Sequence, residues 1–196
     1  MIIFEIDGVI ADIEHRLHFV DVYANPSYEF VPKNNHLDWK EGYYCNLQST
    51  PYFGLPWKPD WKRFYESCNE DIPIWSVVRV IESLHLNDVT LQNKEIQIWS
   101  GRCESVRDRT IHWLKYIVGS VTYSCLRMRP LGDNRPAHVI KEQWLKDLWP
   151  RLERPTKENE GKINHRPDVE MVFENDPESI EMYRRQGIFV FDCRQT

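Results

Sequence analysis

The residues of this chain best suited to chemistry are acids placed beside a glycine. Ile2-Ile3-Phe4-Glu5-Ile6-Asp7-Gly8-Val9-Ile10 is an apolar run that carries two carboxylates and breaks at Gly8. It reads as a buried strand whose carboxyl end delivers Glu5 and Asp7 into a crevice. An edge strand with solvated acids is the alternative, and the apolar Val9-Ile10 beyond the glycine speaks for a shaped turn instead. Later in the chain, Ser100-Gly101-Arg102, Arg129 with Asp133, and Glu174-Asn175-Asp176 each close a short apolar run, and Lys141 lies in a helical stretch. Acids of this kind suit a divalent cation, and a hydroxyl with nearby cations suits a phosphate. The combination points to phosphoryl chemistry with Mg²⁺.

Strands and helices must bring these residues together. Strands are expected at Glu95–Trp99, Cys125–Met128, Val169–Phe173 and Ile188–Phe191, in addition to the opening one. Between them, apolar spacing predicts helices from Ile74 to Leu84 and from Glu104 to Val118. The second of these places Val106, Thr110, Trp113, Leu114 and Ile117 on one face. A third helix is expected to open at Pro136 and run through Lys141 to Leu148. A fourth runs from Pro177 to Gln186, with Asp176 as its N-cap and Gly187 as its stop. Asp12 to Val22 reads as a short helix or flap, and Arg151 to Pro167 as an exposed polar loop. Alternation of this kind predicts an α/β fold with a doubly wound, mostly parallel, five-stranded Rossmann-like sheet. Ligands of such sheets bind at the carboxyl ends of the strands, where the chemistry-bearing residues fall.

One stretch does not follow the pattern. Residues 23–59 contain Pro26, Pro32, Pro51, Pro56 and Pro59 and no sustained period, and twelve aromatic residues lie between Tyr23 and Tyr65. This is expected to be a cap-like insertion after the first strand, with 1–22 and 60–196 forming the core domain. Most of its rings are expected to build a small core or a subunit contact. Tyr43, Tyr44 and Trp57 are candidates to reach a ligand, by stacking on a base or covering the site.

A chain of 196 residues with 41% hydrophobic and 28% charged residues has the composition of an ordinary globular domain. A formal net charge of −5 argues against a globally basic nucleic-acid binder and leaves room for a local basic patch. Five cysteines without a C-x-x-C pair read as reduced, mostly buried thiols. With the first strand starting at Ile2 and no apolar run of membrane length, the expectation is a cytoplasmic protein without a leader. His15 and His18 lack further metal-ligand partners at suitable spacing and read as surface polar residues or substrate contacts, with Arg16 beside them facing the crevice.

The motifs also carry a family resemblance. Phe4-Glu5-Ile6-Asp7-Gly8-Val9 is similar to the D-x-D-G-T opening of the haloacid dehalogenase (HAD) phosphatases. Ile98-Trp99-Ser100-Gly101-Arg102 resembles their second motif, Arg135-Pro136 with Val139-Ile140-Lys141 the third, and Phe173-Glu174-Asn175-Asp176 the acidic fourth. Ser-Gly-Arg, Met128-Arg129 before Gly132-Asp133-x-Arg135-Pro136, and Met182-Tyr183-Arg184-Arg185-x-Gly187 resemble most the 3′-phosphatase domain of polynucleotide kinase and its stand-alone phage relatives. The resemblance implies Glu5 as nucleophile and Asp7 as acid and base, with Ser100 and Lys141 on the phosphoryl group. It implies Mg²⁺ held by Glu5, the Asp7 carbonyl, and Glu174 or Asn175. From their place near the crevice, Arg102, Arg127, Arg129, Arg135 and Lys141, with Gly101, are expected to form a track for a nucleotide or a phosphorylated nucleic-acid end, or else the cations are ordinary surface charges paired with acids. If the protein is phage-encoded, such an end would be met in the host cytoplasm.

The opening and fourth motifs depart from that family, and the threonine of the opening motif is Val9 here. The nucleophile is Glu where the family has Asp, and one methylene moves a carboxylate by about 1.5 Å, when about 1 Å of displacement can cost on the order of 100-fold in rate. The fourth motif reads Glu-Asn-Asp, so one of its two acids has lost its charge. The matched changes fit a shifted metal, and equally fit loss of function. Three readings stand: a Mg²⁺-dependent phosphatase for a nucleotide or nucleic-acid 3′-phosphate, a nucleoside monophosphate phosphatase, and a non-catalytic relative that binds a nucleotide or a protein.

Overall fold

The sheet is built around β1 (Ile2–Phe4), whose three apolar residues are almost fully buried. It pairs in parallel with β4 (Ile96–Cys103) on one side and with β6 (Met171–Glu174) on the other. Ile2 stands beside Ile96 and Met171, and Phe4 beside Ile98 and Phe173. β5 (Cys125–Arg129) and β7 (Phe189–Asp192) complete the order β5-β4-β1-β6-β7, and every pairing in this sheet is parallel. Helices flank it, as an all-parallel sheet needs to cover its apolar faces. The computed structural model describes residues 1–21, 58–86, 95–119, 123–148 and 169–194. Almost all of the 23–59 insertion lies outside them, including Tyr43, Tyr44 and Trp57, as do Val22 and the polar stretch 151–167.

The chain divides into two compact units, Met1–Asp12 with Ile72–Thr196, and Ile13–Asp71. In the first, α5 (Ala137–Leu148) and α6 (Pro177–Arg185) cover one sheet face. Ile140, Trp144 and Leu145 pack with Ile180, Met182 and Tyr183 against Ile3, Trp99, Val172 and Val190. Each large side chain fully buried in this way contributes roughly 1.5–3 kcal/mol. The side chains that alternate with these carry stacked rings, Phe4 on Phe173 at 4.4 Å and Phe173 on Phe191 at 4.6 Å between centroids. α3 (Trp75–Leu86) buries Val78 and Ile81. A 3₁₀ turn at Glu104–Val106 leads into α4 (Arg107–Ile117), and the expected face of Val106, Thr110, Trp113, Leu114 and Ile117 is the buried one. Asp176 caps α6, its carboxylate accepting from the Ser179 N–H at 2.9 Å and hydroxyl at 2.6 Å. Gly187 ends that helix at φ 74°.

Several boundaries differ from expectation. β4 runs four residues beyond Trp99, through Ser100-Gly101-Arg102 to Cys103, and its register against β5 shifts between Ser100 and Cys103. Asp12 is not helical: β2 (Ala11–Asp12) pairs antiparallel with β3 (Ile72–Pro73), and α1 is a single turn, Glu14–Leu17. Pro136 lies one residue before α5, and its carbonyl accepts from Val139 and Ile140. Of the four described cysteines, all free, only Cys68 is buried, so most are not core residues.

The second unit contains α1, α2 (Trp61–Glu66) and a 3₁₀ turn at Ser67–Glu70. At its centre Arg16 is fully buried. Its Nε and Nη2 donate to the two Asp71 oxygens at 2.7 and 3.0 Å, and its Nη1 donates to the Phe64 carbonyl at 3.2 Å. The guanidinium also lies 4.2 Å from the centre of the Phe64 ring. Arg16 therefore serves this small core, and the expectation that it faces a crevice is corrected. His15 approaches the same Asp71 at 3.7 Å.

Candidate active site

Glu5 follows directly on β1, so the strand end sets its side chain at the carboxyl edge of the sheet. The chain then folds back on itself, the Ile6 carbonyl accepting from the N–H groups of Val9, Ile10 and Ala11. Gly8 makes this possible at φ 75°, a conformation that L side chains rarely adopt. It also admits a neighbour: a Cβ here would stand 2.0 Å from Asn175 Nδ2. The β1 turn and the loop after β6 are thus in direct contact, Asn175 lying against Gly8.

Across the β1–β6 pair, two carboxylates converge on one ammonium. Lys141, from α5, donates from Nζ to Glu174 Oε2 at 2.6 Å and forms a close ion pair with Glu5 Oε2. Both remaining oxygens are held by main chain: Glu5 Oε1 accepts from Ile6 at 3.0 Å, and Glu174 Oε1 from Asn175 and Asp176 at 3.1 Å. All three side chains are at least 94% buried. Burial raises the Glu5 pKa, Lys141 pulls it back, and the nearby Glu174 and Asp7 carboxylates raise it further. Burial works against the Lys141 charge, but Glu174 and Glu5 outweigh it and hold the amine protonated, its pKa raised. Two carboxyl groups thus share one ammonium.

Asp7 takes a different partner. Arg102, fully buried, donates from Nε to Asp7 Oδ1 at 2.8 Å, with Nη2 at 2.6 Å from the same oxygen. The irregular end of β4 turns Arg102 inward, over the Trp113 ring at 5.7 Å. The Ser100 hydroxyl, also fully buried, accepts from the Arg102 N–H at 3.2 Å. Arg129 donates from Nε to the Gly101 carbonyl at 2.9 Å and from Nη1 to the carbonyls of Asp133, at 3.2 Å, and Arg135. Its guanidinium is fixed by carbonyls, with no carboxylate among these partners. Arg135 is half exposed and turned to Asp133, whose carboxylate it holds down to a pKa of about 2. The structure thus joins Glu5, Lys141 and Glu174, and separately Asp7 with Arg102, whereas Arg135 is committed to an exposed pair.

The donors present suit Mg²⁺. Among the described residues no three His, Cys, Asp or Glu side chains form a metal cage. Mg²⁺ needs less, since it binds through one or two carboxylates and keeps waters or phosphate oxygens for the rest. Glu5 and Glu174 supply two convergent carboxyl groups, with the Asn175 amide next in sequence to Glu174.

The sequence reading overlooked one residue here. Tyr183 of α6 is fully buried, and among the described residues its hydroxyl has no hydrogen-bond partner. An orphaned hydroxyl of this kind costs about 1–3 kcal/mol. Burial raises its pKa well above the ordinary value, and the charges bearing on it are Lys141, Glu174 and Glu5. The only sequence signal was its place in Met182-Tyr183-Arg184-Arg185.

The HAD phosphatase expectation has support beyond the motifs. Residues 61–196 match the family model for the polynucleotide kinase PNKP phosphatase domain. The chain therefore belongs to that family of HAD-type phosphatase domains. The matched span contains Ser100, Arg102, Lys141 and Glu174, while Glu5 and Asp7 precede it. A search of curated proteins gives no match. Two solved structures, of the Pnkp1/Rnl/Hen1 RNA repair complex and of a Pnkp1/Rnl/Hen1 complex, share the fold at TM-scores of 0.53. Identities are 16% and 17% over 97% of this chain. It spans 41% and 44% of those chains, less than half of either. Among the described residues no helix is long and apolar enough to cross a membrane.

Proposed function

We propose that this protein is a Mg²⁺-dependent phosphatase that removes the 3′-phosphate from a nucleotide or nucleic-acid end. The observation that carries this reading is the convergence of Glu5, Lys141 and Glu174 at the carboxyl ends of two adjacent parallel strands. In it, a Glu5 oxygen attacks phosphorus, the bond from phosphorus to the 3′ oxygen breaks, and that oxygen leaves with a proton from Asp7. Water then attacks the Glu5 acyl-phosphate at phosphorus and returns a proton to Asp7, releasing inorganic phosphate and the Glu5 carboxylate. Lys141 offsets charge on the phosphoryl oxygens, and Ser100, which accepts from Arg102, keeps its own O–H to donate to one of them. Bound Mg²⁺, held by Glu5, Glu174, Asn175 and the Asp7 carbonyl, would supply further charge neutralisation. Gly101, Arg102 and Arg129 line the approach for the substrate phosphate, and Arg135 joins them only by leaving Asp133. The core at 1–22 and 60–196, with 23–59 as a cap, belongs to the same proposal.

The test is phosphate release from a 3′-phosphorylated oligonucleotide and from deoxynucleoside monophosphates, with and without Mg²⁺. Turnover of the oligonucleotide that is lost in Asp7→Asn is expected. Turnover confined to monophosphates would move the substrate to small nucleotides. A second reading, binding without turnover, draws on the pairing of Glu5 and Glu174 with Lys141 and of Asp7 with Arg102. Under it the wild type is inactive, binds nucleotide tightly, and gains turnover on Glu5→Asp.

A further inference from the structure

Tyr183 is placed by α6 between the sheet and α5, in the same buried layer as Ile140 and Trp144. Phenylalanine would fill this space without burying a hydroxyl. Lys141, adjacent to Ile140 on α5, and Glu174, at the end of β6, hold the charges that bear most on that hydroxyl. Glu174 Oε1 is already engaged by two main-chain N–H groups, and Oε2 depends on Lys141. When Lys141 turns toward an incoming phosphoryl group, Oε2 loses its donor inside a buried site, and a buried carboxylate without a donor is strongly disfavoured.

We propose that Tyr183 is a positioning residue, whose O–H takes up Glu174 as Lys141 engages phosphate. This rests on the phosphatase reading above. A neutral donor suits the task, because it satisfies the carboxylate without adding a charge that would compete with Lys141 for the phosphoryl oxygens. An uncommitted hydroxyl in the resting protein is what such a hand-over needs.

The test compares Tyr183→Phe with wild type in three measurements on the full chain: thermal midpoint, steady-state kinetics on a 3′-phosphorylated oligonucleotide, and binding of inorganic phosphate by calorimetry. The expected result is an unchanged or raised midpoint, a kcat/KM lower by roughly tenfold or more, and weaker phosphate binding. A purely structural hydroxyl would move only the midpoint. Wild-type kcat/KM and phosphate affinity in Tyr183→Phe overturn the inference and leave the phosphatase reading intact. If wild type shows no turnover, that reading fails and phosphate binding decides alone. A weaker Tyr183→Phe then supports the hand-over, and equal affinity, or no phosphate binding by wild type, overturns it.

Discussion

Arg16 meets Asp71 as two matched charges, whereas Lys141 meets two carboxylates at once. In the first pair both carboxylate oxygens accept from one planar fork, and the guanidinium also satisfies a carbonyl and lies on an aromatic ring. The charges cancel and nothing is left to offer a ligand. In the second, two carboxyl groups share one ammonium, and among the described residues a tyrosine hydroxyl stands by unpaired. Both are buried, so burial alone does not mark a site. The difference teaches that an unbalanced buried cluster is the one poised to take a ligand.

Removing the cation from each cluster should give the largest effects. Lys141→Met and Arg16→Met each leave buried carboxylate uncompensated, and each is expected to lose about 3–5 kcal/mol in urea denaturation. The second substitutions separate the clusters. Arg16→Met with Asp71→Leu should recover most of the loss, because a matched pair can be replaced by apolar groups. Lys141→Met with Glu174→Leu should not, since Glu5 remains buried and unpaired. Equal recovery in both would break the comparison.

A smaller effect is expected at the turn that joins the two sides of the site. Gly8→Ala forces a side chain into a left-handed conformation and against Asn175, at about 1–3 kcal/mol. Its amide spectrum should show Asn175 displaced, and an unshifted Asn175 would mean that the turn, not the contact, absorbs the change.

The smallest effects concern pH. Asp133 and Asp192, hydrogen-bonded by Arg135 and Arg194, have pKa values lowered to about 2. A depressed carboxylate adds stability above its unfolded pKa, about 3.9, and loses it as pH falls toward 2. Asp133→Asn should therefore flatten the acid limb slightly, and added salt should erase the difference, since both acids are at the surface. Glu5 has the opposite sign. Its raised pKa makes folding less favourable as pH rises from the ordinary carboxylate range, and Glu5→Gln should remove that slope in pH-dependent thermal melts.

Much of this was legible in the chain. Short apolar runs ending in glycine or acid, alternating with helical spacing, defined a parallel sheet, and Asp176-Pro177 and Gly187 marked the ends of α6. Glu5 directly follows β1 and Glu174 ends β6, the strand-end positions that the pattern implied. What sequence could not supply was the choice of partners. Arg102 had Asp7, a phosphate and solvent all open to it, and only the irregular end of β4 turns it onto Asp7. Arg129 is fixed by three carbonyls, which carry no residue signature. Arg16 finds Asp71 from the other end of its unit, so adjacency to His15 and His18 misled. Tyr183 looked like any apolar position of an amphipathic helix.

The position of β1 also bears on how the chain acquires its shape. It is synthesised first, yet its pairing partners begin at Ile96 and Met171, far downstream in the sequence. Closing such long loops makes folding slow, because their entropy is lost before contacts compensate it. During synthesis Ile2-Ile3-Phe4 can pair first with β4, and it gains its second neighbour only once β6 has left the ribosome. A chain that stops before β6 therefore carries Glu5 and Lys141 without Glu174, one acid and the base without the complete cluster.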